Sequence, residues 1–153
     1  MVKIVVFDSG LGSLSIIKAI QKICKSEIIY FADQKNYPYG KKSKKQLETI
    51  IKQTIKMLKE NFSPDIIVMA STTPSLMVNT NRKVIGVNLP IRKAMTLSKT
   101  KNIAILATQS AIKSKSLSSY IKKINFSKDK KIYKVNSSIL VDLVESNKFV
   151  TDK

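Results

Sequence analysis

Two rhythms of hydrophobic and polar positions alternate along this chain. Short continuous apolar runs occur in "KIVVF" (3–7), "EIIYFAD" (27–33), "DIIVMA" (65–70), "VIGV" (84–87), "NIAILAT" (102–108) and "KIYKVN" (131–136). Runs of this length predict buried strands. Between them, apolar residues recur at helical spacing. Leu14, Ile17, Ile20 and Cys24 predict a first helix. Leu47, Ile50, Ile51, Thr54, Ile55 and Leu58 form one stripe of a helix over 43–61, with lysines on its other face and Ser43 as N-cap. Further helices are predicted after Pro90, from the fifth strand to about residue 122, and around 138–146. The segment "QKNYPYG" reads as a loop broken by Pro38 and Gly40, and "NFSKDKK" (125–131) as an exposed turn.

Strand and helix in alternation predict an α/β fold, a mostly parallel sheet flanked by helices. Ligands of such sheets sit outside the carboxyl ends of the strands. The predicted strand ends are Asp8-Ser9, Asp33, Ser71-Thr72-Thr73, Asn88 and Thr108-Gln109, nearly all polar. Together they predict one small-molecule site. Taken singly, each also reads as a cap of the helix that follows.

Composition narrows the chemistry. The chain has 153 residues, 43% of them apolar, enough for a real core. It has one cysteine, Cys24, and no histidine. Ser-His-Asp and Cys-His catalysis, a Cys/His zinc site and an intramolecular disulfide are therefore excluded. No uncharged apolar stretch reaches the roughly 18 residues of a membrane span, and the apolar start before Asp8 is too short for a signal-peptide core. A cytoplasmic protein with no membrane partner is expected.

The formal net charge is +18, from 28 basic and 10 acidic residues. Such a balance suits an anionic partner, nucleic acid included. It equally suits lysine-rich solvated faces. Arg82 and Arg92 are the only arginines, and the lysines spread over 41–59 and 113–134 without a nucleic-acid-binding signature.

Three segments carry candidate chemistry. "DSGLGS" (8–13) lies between strand and helix but lacks the third glycine of a dinucleotide loop, since position 15 is Ser. A carboxylate at Asp8 would repel a pyrophosphate and suits an ammonium group or proton transfer better. "YPYG" (37–40) is a tight loop able to present backbone amides to a carboxylate. "VMASTTPSLMV" (68–78) ends a strand in three hydroxyls, none of them a good acid or base at neutral pH.

These segments, with "VVFDSGLGSLSIIKAI", "IIYFADQKNYPYGKKS", "VIGVNLP", "IAILATQSAIKS" and "SILVDLVESNKF", resemble in order and spacing the aspartate/glutamate racemase family, most closely its glutamate racemases. The resemblance covers nearly the whole chain. It implies a racemase-like α/β fold of two lobes, here 1–92 and 93–153, with the second lobe incomplete. It also implies interconversion of L- and D-glutamate for peptidoglycan, without a cofactor, by two cysteines on opposite sides of the substrate α-carbon. The family's Asp-Ser pair falls on Asp8 and Ser9, its Tyr-Gly substrate contact on Tyr39 and Gly40, and its Cys-Asn-Thr motif on Ser71, Thr72 and Thr73. A helper carboxylate falls on Glu145.

The departures from the family pattern bear on activity. Ser71 stands at the cysteine, Thr72 at the asparagine, and Ala111 at a threonine expected after the fifth strand. The second cysteine, followed in the family by Thr-His, is expected beyond residue 153. A thiol ionises near pH 8.5 and can be lowered further by its surroundings, whereas a serine hydroxyl lies far higher. Each unit of that gap costs about 1.4 kcal/mol. Weak or absent racemase activity is expected, with an acidic amino acid, glutamate or aspartate, still bound. Apolar faces and edges left by missing strands predict a fragment, a degenerate copy or a homodimer that covers them. The competing reading is a non-catalytic binding or regulatory protein for an acidic amino acid or nucleic acid.

Overall fold

A computed structural model describes residues 1–79, 81–124 and 130–146. The chain forms two units, Met1–Asn88 and a second beginning at Leu89. The expected lobe boundary at residue 92 falls inside a helix of the second unit, Ile91–Leu97.

The first unit is a parallel sheet of β1 (Val2–Asp8), β2 (Ser26–Ala32), β3 (Ile66–Met69) and β4 (Val84–Gly86), in the order β2-β1-β3-β4. Helices α1 (Ser13–Ile23), α2 (Lys44–Phe62) and α3 (Thr72–Met77) connect successive strands. β1 pairs with β2 from Val2↔Ser26 to Asp8↔Ala32 and with β3 from Ile4↔Ile66 to Phe7↔Met69. The chain leaves β1 toward β2 and then crosses to β3 on the other side. The strand order thus reverses between β1 and β3, and ligands of such sheets bind outside the carboxyl ends at this kind of switch point.

The continuous apolar run of β1 follows from burial on both faces. Val5 and Phe7 pack with Ile67 and Met69 against Leu47, Ile51 and Leu58 of α2. Ile4 and Val6 pack with Val68 and Ala70 against Ile16, Ile17 and Ile20 of α1. Ile17 and Ile20 of the predicted α1 stripe thus pack on the sheet, and its two end positions do not. Leu14 is exposed, and Cys24 is the C-cap, past the helix end.

The α2 helix follows its sequence closely. Ser43 is its N-cap in a full capping box: its Oγ accepts from the Gln46 N–H at 3.3 Å, and Gln46 Oε1 accepts from the Ser43 N–H at 2.8 Å. It ends at Ser63, which takes a left-handed conformation, φ 43° and ψ 53°.

The second unit contains α4 (Ile91–Leu97), β5 (Asn102–Ala107), α5 (Gln109–Lys113), α6 (Lys115–Lys123), β6 (Lys131–Asn136) and α7 (Ser138–Glu145). β5 and β6 pair in parallel, from Asn102↔Lys131 to Ala107↔Asn136. The single helix predicted after β5 is two. Ser114 divides them, accepting the Leu117 N–H at 3.0 Å as N-cap of α6 and donating to the Ala111 carbonyl at 2.7 Å. The core of this unit is thin, with Ile91, Met95, Ile105, Ala111 and Leu117 as its buried apolar residues among those described. Ile139 on α7 is 87% exposed and Leu97 72%. Residues 125–129 of the predicted exposed turn lie outside the described residues. No helix among the described residues is long and apolar enough to cross a membrane.

Candidate functional site

The switch point between β1 and β3 is flanked by the residues that end those strands. Asp8 closes β1, and the Ala70 N–H donates to the Phe7 carbonyl at 2.8 Å, so both strand tips emerge side by side. Adjacent parallel strands lie about 4.8 Å apart. Asp8-Ser9 and Ser71-Thr72-Thr73 therefore face one small space. Asp8, Ser9 and Thr73 are buried, Ser71 and Thr72 half-buried.

Among the described residues, α1, α3 and α5 have Gly12, Ser71 and Thr108 at the N-cap, and none of the three caps makes a side-chain hydrogen bond to its helix. Asp8 holds its own loop: its Oδ1 accepts from the Ser9 N–H at 2.6 Å.

Ser71 is fixed by its backbone. Its carbonyl accepts from Ser75 Oγ at 2.6 Å and from the Ser75 N–H at 3.2 Å. Ser75 Oγ also lies 3.1 Å from the Met69 carbonyl and accepts from the Val87 N–H at 3.1 Å. One hydroxyl thereby pins the ends of β3 and β4 to the first turn of α3.

The Tyr-Gly loop reaches the same switch point. The backbone N–H of Tyr39 donates to Ser9 Oγ at 3.3 Å. Its phenol is buried in the core and donates to Asp33 Oδ2 at 2.7 Å. Burial raises the pKa of this phenol far above its usual range, and the hydrogen bond to Asp33 and the charges of Asp33 and Asp8 raise it further. It remains a donor at any ordinary pH. The Lys41 and Lys42 amides donate to the Pro38 and Tyr39 carbonyls. Amides of the loop are thus engaged within the protein, and Tyr39 reaches the switch point through Ser9 rather than with its ring. Gly40 is half-buried beside it.

Asp33 was legible as a polar strand end but not as the hub it forms. Besides Tyr39, its carboxylate accepts from Asn36 Nδ2 at 2.9 and 3.0 Å and from Thr54 Oγ1 at 3.3 Å. Nothing in the sequence separates Thr54 from the apolar stripe it interrupts.

Glu145, the predicted helper carboxylate, is the last residue of α7 and half-buried. Ala111 is buried on α5. Both belong to the second unit, as do Thr108 and Gln109, so the strand ends predicted to converge are divided between the two units.

No family model matches this chain. It is 30% identical over 156 residues to glutamate racemase from Sulfurovum sp., covering 97% of this chain and 59% of that relative. Among solved structures, it superimposes on Campylobacter jejuni glutamate racemase with a TM-score of 0.80 and 28% identity, over 98% of this chain and 62% of the other. Escherichia coli glutamate racemase, solved with L-glutamate and the activator UDP-MurNAc-ala, gives a TM-score of 0.85 and 25% identity over 95% and 57%. The chain thus spans a little over half the length of these relatives.

Proposed function

We propose that this chain, which belongs to the glutamate racemase family, holds an acidic amino acid between the tips of β1 and β3 but removes its α-proton slowly or not at all. The observation that carries this reading is the pairing of a buried carboxylate, Asp8, with a row of hydroxyls on the adjacent strand tip, at the point where strand order reverses.

The chemistry follows from the groups present. Asp8 offers a fixed negative charge to an ammonium group. Ser9 accepts the Tyr39 N–H, so its own proton is directed away from that bond and is available to a ligand carboxylate. Thr72 and Thr73 supply further hydroxyls on the opposite tip. The surrounding positive charge, +18 over the chain, favours the approach of an anionic amino acid. Glutamate is the ligand we assign, in keeping with the family, and a cytoplasmic setting suits a chain with one cysteine.

Proton abstraction is where the site falls short. Ser71 occupies the place at which the resemblance puts the first thiol. A serine becomes a base only beside a group that takes its proton, and the chain has no histidine to do so. Without a poised base the α-proton stays on carbon, while binding is unaffected. Titration calorimetry with L- and D-glutamate tests the reading. Saturable heat that is lost in Asp8→Ala is expected. Absence of heat with either enantiomer would contradict it.

A further inference from the structure

We propose that Asp33 is a positioning residue of this site, holding the Ser9 hydroxyl in its ligand-facing orientation through Tyr39. The hydrogen bonds form a closed circuit. The Asp33 N–H donates to the Asp8 carbonyl at 2.7 Å, tying the end of β2 to the end of β1. The Asp33 carboxylate takes the Tyr39 phenol at 2.7 Å. The Tyr39 N–H donates to Ser9 Oγ at 3.3 Å, and the Ser9 N–H returns to Asp8 Oδ1 at 2.6 Å. All four residues are buried, Tyr39 at 1% exposure and Asp33 at 5%.

A carboxylate suits the hub because four donor contacts converge on it, from Tyr39, Thr54 and twice from Asn36. Two oxygens with about four lone-pair positions can accept them all. Thr54 lies on α2 and Asn36 in the loop after β2, so the carboxylate ties the loop to the helix that packs on the sheet. Removing the carboxylate leaves the buried phenol without the acceptor it donates to, with Thr54 as its remaining hydrogen-bond neighbour, and that loss is expensive in a dry site. The loop then loses the anchor that sets the Tyr39 amide against Ser9.

The part of this inference that concerns ligand affinity rests on the glutamate reading above; the part that concerns loop order does not. The test uses the full chain with Tyr39→Phe, Asp33→Ala and Asp33→Asn. Amide hydrogen exchange is followed at Tyr39, with the strand amides of Val5 and Ile67 as reference, and glutamate is titrated into each protein. In Tyr39→Phe and Asp33→Ala the Tyr39 amide should exchange about tenfold faster or more, with Val5 and Ile67 unchanged. Asp33→Asn keeps one acceptor oxygen and should stay within about threefold of the parent. Glutamate affinity should fall about tenfold in Tyr39→Phe and hold in Asp33→Asn.

A Tyr39 amide that exchanges at the parent rate in Tyr39→Phe overturns the proposal. So does equal acceleration at Tyr39, Val5 and Ile67, which would make the bond one of general stability. If Asp33→Ala does not fold, Tyr39→Phe against Asp33→Asn decides. If the parent protein gives no heat with glutamate, the ligand reading fails, and the exchange rates still decide whether Asp33 orders the loop.

Discussion

Ser75 fixes the backbone of Ser71: its Oγ lies 2.6 Å from the Ser71 carbonyl while the same oxygen accepts the Val87 N–H at 3.1 Å. A side chain one turn into α3 therefore sets the tip of β3, where the resemblance places the reacting group. Ser75→Ala leaves the Val87 N–H and the Ser71 carbonyl without that partner. It should lower stability by about 1–3 kcal/mol, read as a shift in urea midpoint at constant slope.

Gly86 lies against the same side chain. A Cβ at that position would stand 3.0 Å from both Cβ and Oγ of Ser75. Ser75 would have to give by a few tenths of an ångström, and its Oγ is already tied to Ser71, Met69 and Val87. Gly86→Ala should destabilise by about 1–3 kcal/mol in urea denaturation. Unchanged stability would mean that β4 and α3 separate easily.

At its termini α2 offers two opposed tests. Ser43→Ala removes the capping box and should cost about 1 kcal/mol. Ser63 holds φ 43° without being glycine, and Ser63→Gly should stabilise by about 1 kcal/mol, because glycine takes this conformation without a Cβ penalty. Thermal unfolding of the two variants should move in opposite directions.

Tyr39 gives the fold a dependence on alkaline pH. Its pKa in the folded chain is raised above the ordinary value of 10.0, first by burial and then by Asp33. A raised pKa contributes stability that is complete below pH 10.0 and is lost as the pH climbs toward the folded value. The stability difference between the parent and Tyr39→Phe should therefore narrow above about pH 10, measured by urea midpoints at rising pH. A gap that stays constant to pH 11 or so would show that the phenol is not held neutral by the fold.

Much of the first unit was legible in the sequence. The unbroken run of β1 announced burial on two faces, and Ser43 announced the start of α2, because both signals are local. The polar residues Asp8, Ser9 and Ser71 to Thr73 were legible as strand ends for the same reason, and the structure sets the two tips side by side. The hub at Asp33 was not legible, since it joins residues up to 21 positions apart and Thr54 looks like part of an apolar stripe. The break between α5 and α6 was missed because Ser114 is one serine among several, and only its hydrogen bonds mark it as a cap. In α1 the centre of the predicted stripe holds, since Ile17 and Ile20 meet the sheet together with Ile16, while Leu14 at the start of the helix faces out and Cys24 lies past its end.

In the proposed reading, Ser71 is the position that limits proton abstraction, and a thiol placed there tests it. Ser71→Cys should raise hydrogen–deuterium exchange at the α-carbon of glutamate by at least about tenfold over the parent, by supplying a group that ionises near neutral pH. Proton NMR in D2O follows the loss of the α-proton signal.

The most direct measurement is the same exchange catalysed by the unaltered, purified chain. Incubated with L-glutamate or D-glutamate in D2O, it should leave the α-proton signal at the level of a protein-free control. Rapid wash-out of that signal, with the opposite enantiomer appearing, would contradict the claim that a hydroxyl at position 71 leaves the site able to bind but not to racemise.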